Sequence, residues 1–124
     1  MKIIVMLLTI TAVIFLSTRV FADGDVKRGK TLFNDPKLSG SSFGVSCNAC
    51  HPNGKGLEHS GEAGKTTWSS CSGERNSLED SINTCFLMAN KGRPIDLKSQ
   101  DMKDLIAYIK SLANKTKKRY PKED

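Results

Sequence analysis

Cys47-Asn48-Ala49-Cys50-His51 is the stretch on which the reading of this chain turns. Two thiols three positions apart can each add to one of the two vinyl groups on a haem edge, and the adjacent imidazole then lies against the iron. The pentapeptide is therefore read as the attachment signature of one covalently bound haem c. Cys47 and Cys50 are its thioether donors and His51 is the proximal axial ligand. Two other uses of a Cys-x-x-Cys pair fit the surroundings less well. A thioredoxin-like dithiol needs a strand-helix-strand context, whereas Pro52-Asn53-Gly54-Lys55-Gly56 reads as loop. A structural zinc site takes four Cys or His ligands, usually in two close pairs, and the remaining cysteines, Cys71 and Cys85, lie far apart.

Upstream of the motif, residues 37 to 46 are rich in Ser and Gly and read as loop. Before them a first helix is expected from Asp25 to Phe33. Asp25 can cap it, Val26, Gly29, Leu32 and Phe33 recur at helical spacing, and Asn34-Asp35-Pro36 ends it. A mid-helix glycine costs about 1 kcal/mol relative to alanine, so Gly29 needs a reason, and close approach of another helix would supply it. At the very start Lys2, the apolar run Ile3 to Leu16 and the small-residue pattern of Val20-Phe21-Ala22 describe a secretory signal peptide over residues 1–22, cleaved before Asp23. The rival reading is an uncleaved anchor, but a run of about fourteen residues falls short of the ~20 that span a bilayer. No stable membrane insertion is expected after cleavage. Export suits the motif, since haem is attached to such thiols outside the bacterial cytoplasm, and the expected location is the periplasm.

Downstream, a second loop is expected from Pro52 to about Ser72. Ser77 then caps a helix with Glu79 and Asp80 in its first turn, where they complement the positive end of the helix dipole. Leu78, Ile82, Cys85, Phe86 and Ala89 form its apolar face, Met88 falls beside that stripe, and Gly92 is placed to end it. In the last helix Met102, Leu105, Ile106, Ile109, Leu112 and Ala113 repeat at three and four, with Ser99 as cap. No strand-like alternation is evident, so the fold class expected is all-α. The haem domain is assigned residues 23–113, followed by a basic tail over 114–124 that holds Lys115, Lys117, Lys118, Arg119 and Lys122. That tail carries much of the formal +6 charge. With no binding motif, one Trp and two Tyr, nothing in the chain suits nucleic acid.

The order of these parts resembles a class I cytochrome c domain. The first helix is Gly24-Asp25-Val26-Lys27-Arg28-Gly29-Lys30-Thr31-Leu32-Phe33, the haem loop follows, and the terminal helix carries Leu105-Ile106-Ala107-Tyr108-Ile109. The resemblance implies a cytochrome c fold whose first and last helices cross over the haem, with Gly29, Phe33 and Tyr108 at the crossing. More finely, Ser77-Leu78-Glu79-Asp80-Ser81-Ile82-Asn83 with Cys85, Pro94 and the Tyr108 helix is similar to the cytochromes of bacterial thiosulfate and sulfur oxidation. It departs from their two-haem members in having one attachment motif.

The iron's second axial ligand decides the chemistry. The candidates are Met88, Met102 and His59, and a thioether would favour ferrous iron and raise the potential above that of a bis-imidazole haem. Met102 lies on the apolar stripe of the last helix and is expected in the core, and His59 on the surface. In the family resembled, a Met near position 88 is a distal ligand, so Met88 is the expected one. With both axial positions filled, the haem can only exchange an electron at its edge. The function expected is one-electron carriage between donor and acceptor redox proteins, without a catalytic residue of the chain's own. The alternative is a haem subunit or small enzyme acting on reduced sulfur, with an open sixth position or a thiolate there. A gas sensor would also need an open site, and no signalling module is present. Cys71 and Cys85, an even pair left over in an exported protein, are expected to form a disulfide. Two separate cysteines, or a thiolate on the iron, are the other possibilities.

Overall fold

The computed structural model describes residues 23–119. The expected signal peptide, residues 1–22, lies outside the described residues, as do residues 120–124. Asp25 opens the first helix as its residue type suggests: its backbone is extended and its carboxylate accepts the Arg28 N–H at 2.9 Å. Helix α1 spans Val26–Asn34, and Asp35, with an N–H bonded back to the Leu32 carbonyl, closes it ahead of Pro36. The haem motif forms one helical turn, α2, over Cys47–Cys50, followed by a 3-10 turn at Pro52–Gly54. Helix α3 covers Leu78–Met88, capped by the Ser77 hydroxyl accepting the Asp80 N–H at 3.1 Å. Helix α4 covers Gln100–Arg119, and the Ser99 hydroxyl accepts the Met102 N–H at 3.2 Å in its first turn. The helix runs on past Ala113, so the basic segment up to Arg119 continues α4.

One expectation needs correcting. The chain is not all-α, because part of the segment read as loop forms a small antiparallel hairpin, β1 (Trp68–Ser70) against β2 (Gly73–Arg75), with Trp68 opposite Arg75 and Ser70 opposite Gly73. Strands of three residues are too short to show a period of two in sequence. Their place is fixed by tertiary contacts: the Ser81 hydroxyl of α3 donates to the Ser69 carbonyl at 2.8 Å, and Cys71 in the turn is bonded to Cys85.

The core lies where α1 meets α4 and extends under α3. Phe33, Met102 and Leu105 are wholly buried, with Phe86, Tyr108 and Leu112 nearly so. The small residue at the crossing has the expected purpose. A Cβ on Gly29 would lie 1.9 Å from the Asp104 carbonyl oxygen of α4 and 2.9 Å from the Tyr108 Cβ, so the helices touch backbone to backbone there. One turn on, the Phe33 and Tyr108 rings pack edge to face with centroids 5.1 Å apart.

Candidate functional site

Between α2, α3 and the loop after the motif lies a cavity of about 380 Å³, within the range of small-molecule and cofactor sites. Cys47, Cys50 and His51 line one side and Ile82, Cys85, Phe86 and Ala89 of α3 the other, with Phe33 and Ile109 reaching it from the core. Its wall is mainly apolar, as a macrocycle requires. Helix α2 places the two thiols on one turn, and both are free, whereas Cys71 and Cys85 are joined, with Cα atoms 5.1 Å apart. Burial in the cavity wall pushes the Cys47 thiol up to about 11, which keeps it protonated at neutral pH.

His51 is oriented from behind. Its Nδ1 lies 3.1 Å from the Lys55 carbonyl oxygen. A carbonyl can only accept, so Nδ1 carries the proton and donates, and Nε2 is left as the nitrogen available to a metal. This is the arrangement that fixes tautomer and ring plane in metal-binding histidines. The turn that supplies the carbonyl depends on Gly54: at φ +83°, it packs so closely on α4 that a Cβ would fall 2.4 Å from Leu112 Cδ1. Two free thiols on one helical turn, an imidazole with a fixed tautomer and an apolar cavity beside them fit a haem c.

The SoxA/TsdA cytochrome c domain matches residues 28–117 of this sequence. The chain belongs to that family. No curated protein and no solved structure gives a significant match. It is thus a c-type cytochrome domain with the cytochrome c fold, related to the cytochromes of thiosulfate and sulfur oxidation, and haem c is the cofactor its residues imply.

The cytochrome domain brings Cys47, Cys50, His51, His59, Cys71 and Cys85 to one cavity. It does not bring Met88 there. Met88 is half-exposed on the last turn of α3 and is not among the lining residues. The reason is helical phase. At about 100° per residue, Ile82, Cys85, Phe86 and Ala89 share the inward face and Met88 turns off it, as its position beside the stripe in sequence implied. Met102 is wholly buried in the core. His59, expected on the surface, is exposed yet also lines the cavity, with its Nδ1 paired to Glu62 Oε1 at 2.6 Å.

Lys65, Trp68 and Asn90 are among the lining residues that carried no expectation in sequence. Trp68 donates from Nε1 to the Ser60 carbonyl at 2.9 Å, tying β1 to the loop. As the chain's single Trp, placed in a Gly- and Ser-rich segment, it was the available signal. Buried Asn90 donates to the Val45 carbonyl at 3.0 Å, and its own carbonyl accepts the Ser41 hydroxyl, so the end of α3 is pinned to the loop ahead of Cys47.

Proposed function

We propose that this protein is an exported, periplasmic monohaem cytochrome that carries single electrons between redox proteins in the oxidation of reduced sulfur compounds. The observation that carries the reading is the single cavity walled by Cys47, Cys50 and His51. Export rests on the leader pattern of residues 1–22. Haem c, when bound, supplies a one-electron ferric/ferrous couple. The chain's own residues do the rest. Cys47 and Cys50 would hold the haem by thioether bonds, His51, its ring held by the Lys55 carbonyl, would ligate the iron, and the apolar wall would keep water from the macrocycle. Exclusion of water disfavours the more highly charged ferric state and so raises the potential. In this reading Met88 would supply the distal thioether, which requires its side chain to turn from its exposed position on the last turn of α3 toward the cavity.

A second reading, a haem subunit or small enzyme of thiosulfate oxidation, is favoured by one observation: Met88 stands outside the cavity wall, while the Cys71–Cys85 pair is in it. Without a thioether from Met88, a bound haem would leave its iron accessible to substrate. Optical spectra of purified holoprotein decide between the two. For the carrier, the ferric protein shows the weak Met-ligation band at roughly 695 nm, and Met88→Ala abolishes it, lowers the potential and lets carbon monoxide bind the ferrous form. No such band in the wild type, together with ready carbon monoxide binding, passes the assignment to the enzyme reading. Haem that extracts freely in acid-acetone would remove both.

A further inference from the structure

The bonds along α3 give the cavity two ends. Near its C-terminal end Asn90 is bonded to Val45, two residues before Cys47, and near its N-terminal end Ser81 is bonded to Ser69 on β1. Nine residues at a rise of 1.5 Å set these anchors about 13 Å apart. The cavity therefore runs from the cysteines to a far end made by the loop and hairpin, where Trp68 reaches back to Ser60. Haem tethered at its vinyl edge presents its two propionates at the opposite edge of the macrocycle. Two carboxylates placed there need donors and positive charge.

The lining side chains that can provide them are carried by the loop that leads into Trp68 and so makes that end, with Lys65 three residues before Trp68 and His59 next to its partner Ser60. Apart from His51, the cavity-lining residues that can bear positive charge are His59 and Lys65, eight and fourteen residues past His51 on the same loop. His59 is already engaged with Glu62. Lys65 has no salt bridge among the described residues, and its backbone N–H bonds to the Glu62 carbonyl at 3.4 Å, which anchors the loop at its position. The remaining charges on this loop are occupied or turned elsewhere: Glu58 Oε2 accepts the Gly56 N–H at 2.8 Å, and Lys55 lies outside the lining.

We propose that Lys65 is the propionate-binding cation of this cytochrome, pairing with one haem propionate at the far end of the cavity, with Ser60 and Trp68 shaping that subsite. The inference rests on the haem reading above and adds a role in setting the potential. A cation beside a propionate cancels negative charge that would otherwise favour ferric iron, so Lys65 raises the reduction potential.

The test is a spectroelectrochemical titration of holoprotein carrying Lys65→Gln, Lys65→Glu or Lys65→Arg, with Lys30→Glu on the exposed side of α1 as a control of equal charge change. Lys65→Glu is expected to shift the ferric-to-ferrous ratio about tenfold toward ferric at fixed applied potential, a fall of about 59 mV for a one-electron couple. Lys65→Gln shifts it less in the same direction, Lys65→Arg stays near the wild type, and Lys30→Glu leaves it unmoved. An unmoved potential in Lys65→Glu overturns the assignment. So does an equal fall in Lys30→Glu, since net charge alone would then explain it. Denaturing gels stained for haem keep the two readings apart, because a wild type without covalent haem defeats the haem reading itself.

Discussion

Where α1 crosses α4, backbone rests on backbone at Gly29 and Asp104, and the side chains around the contact are wholly or nearly buried. On the far side of the cavity the hairpin meets α3 through one serine hydroxyl, the Arg75–Thr84 bond and a disulfide, and much of that segment is exposed. The first region is closed by its own side chains. The second encloses a space that its side chains do not fill and is fastened covalently. A chain of this size buries a modest core, and here the core is concentrated at the crossing. The half of the fold around the cofactor is therefore expected to depend on staples, and the crossing on packing.

The largest effect expected is at the crossing. Gly29→Ala would place a Cβ 1.9 Å from the Asp104 carbonyl oxygen, a backbone atom that yields only if the two helices part. Overpacking of a well-packed core costs 1–3 kcal/mol and sometimes more, and a contact made by backbone belongs at the upper end, so a loss of about 3 kcal/mol or more is expected. Thermal or denaturant unfolding of holoprotein measures it. A melting midpoint like that of the wild type would show that the crossing adapts and that packing does not set its stability.

This contrast also marks what was legible in sequence. Helix phase and cap chemistry are local, so α1, α3 and α4 could be placed by Asp25, Ser77 and Ser99, and Gly29 by its conflict with helix propensity. The thiols and imidazole of the haem motif are equally local. The hairpin is not: Ser69, Cys71 and Arg75 take their places from Ser81, Cys85 and Thr84, at separations of 12, 14 and 9 residues. The cavity end that holds Lys65 and Trp68 was hidden for the same reason. At Met88 two readings diverge: the resemblance makes it the expected distal ligand, whereas its phase relative to Cys85 and Phe86 points off the apolar face.

The next effect in size tests the staple. Replacing both Cys71 and Cys85 by Ala opens a loop of about fifteen residues, for which loss of chain-entropy constraint amounts to roughly 3 kcal/mol. The loss is expected to be local as well as global. Amide exchange in Trp68–Arg75 and the first turns of α3 should speed up more than exchange in α1 and α4, because the hairpin has few buried apolar contacts of its own. Uniform acceleration over the whole chain would mean that the two regions unfold as one unit and that the contrast between them is only geometric.

The smallest effect distinguishes two carboxylates that share one cation. Arg28 reaches Asp104 with one guanidinium nitrogen and Asp101 with the other. The Asp104 side chain is only 1% exposed and that of Asp101 is 40% exposed. Burial alone would raise the Asp104 pKa, but the Asp25 N–H at 2.7 Å, the Arg28 guanidinium and the Gln100 amide at 2.7 Å together outweigh it and hold the carboxyl below its usual range. A folded-state pKa below the unfolded value gives stability that is fully present above the unfolded carboxylate pKa of ~3.9 and lost as pH falls through the folded value. Asp104→Asn is accordingly expected to cost about 2 kcal/mol at neutral pH, the scale of hydrogen bonds to a charged group, and progressively less below about pH 4. Melting midpoints of wild type and variant then converge in acid. Asp101→Asn, at an exposed pair worth little in water, leaves the midpoint near the wild type across the range and nearer still in high salt. If the wild-type and Asp104→Asn curves instead stay parallel down to acid, the carboxylate holds no ionisation-linked stability, and the crossing rests on the packing of Gly29, Phe33 and Tyr108 alone.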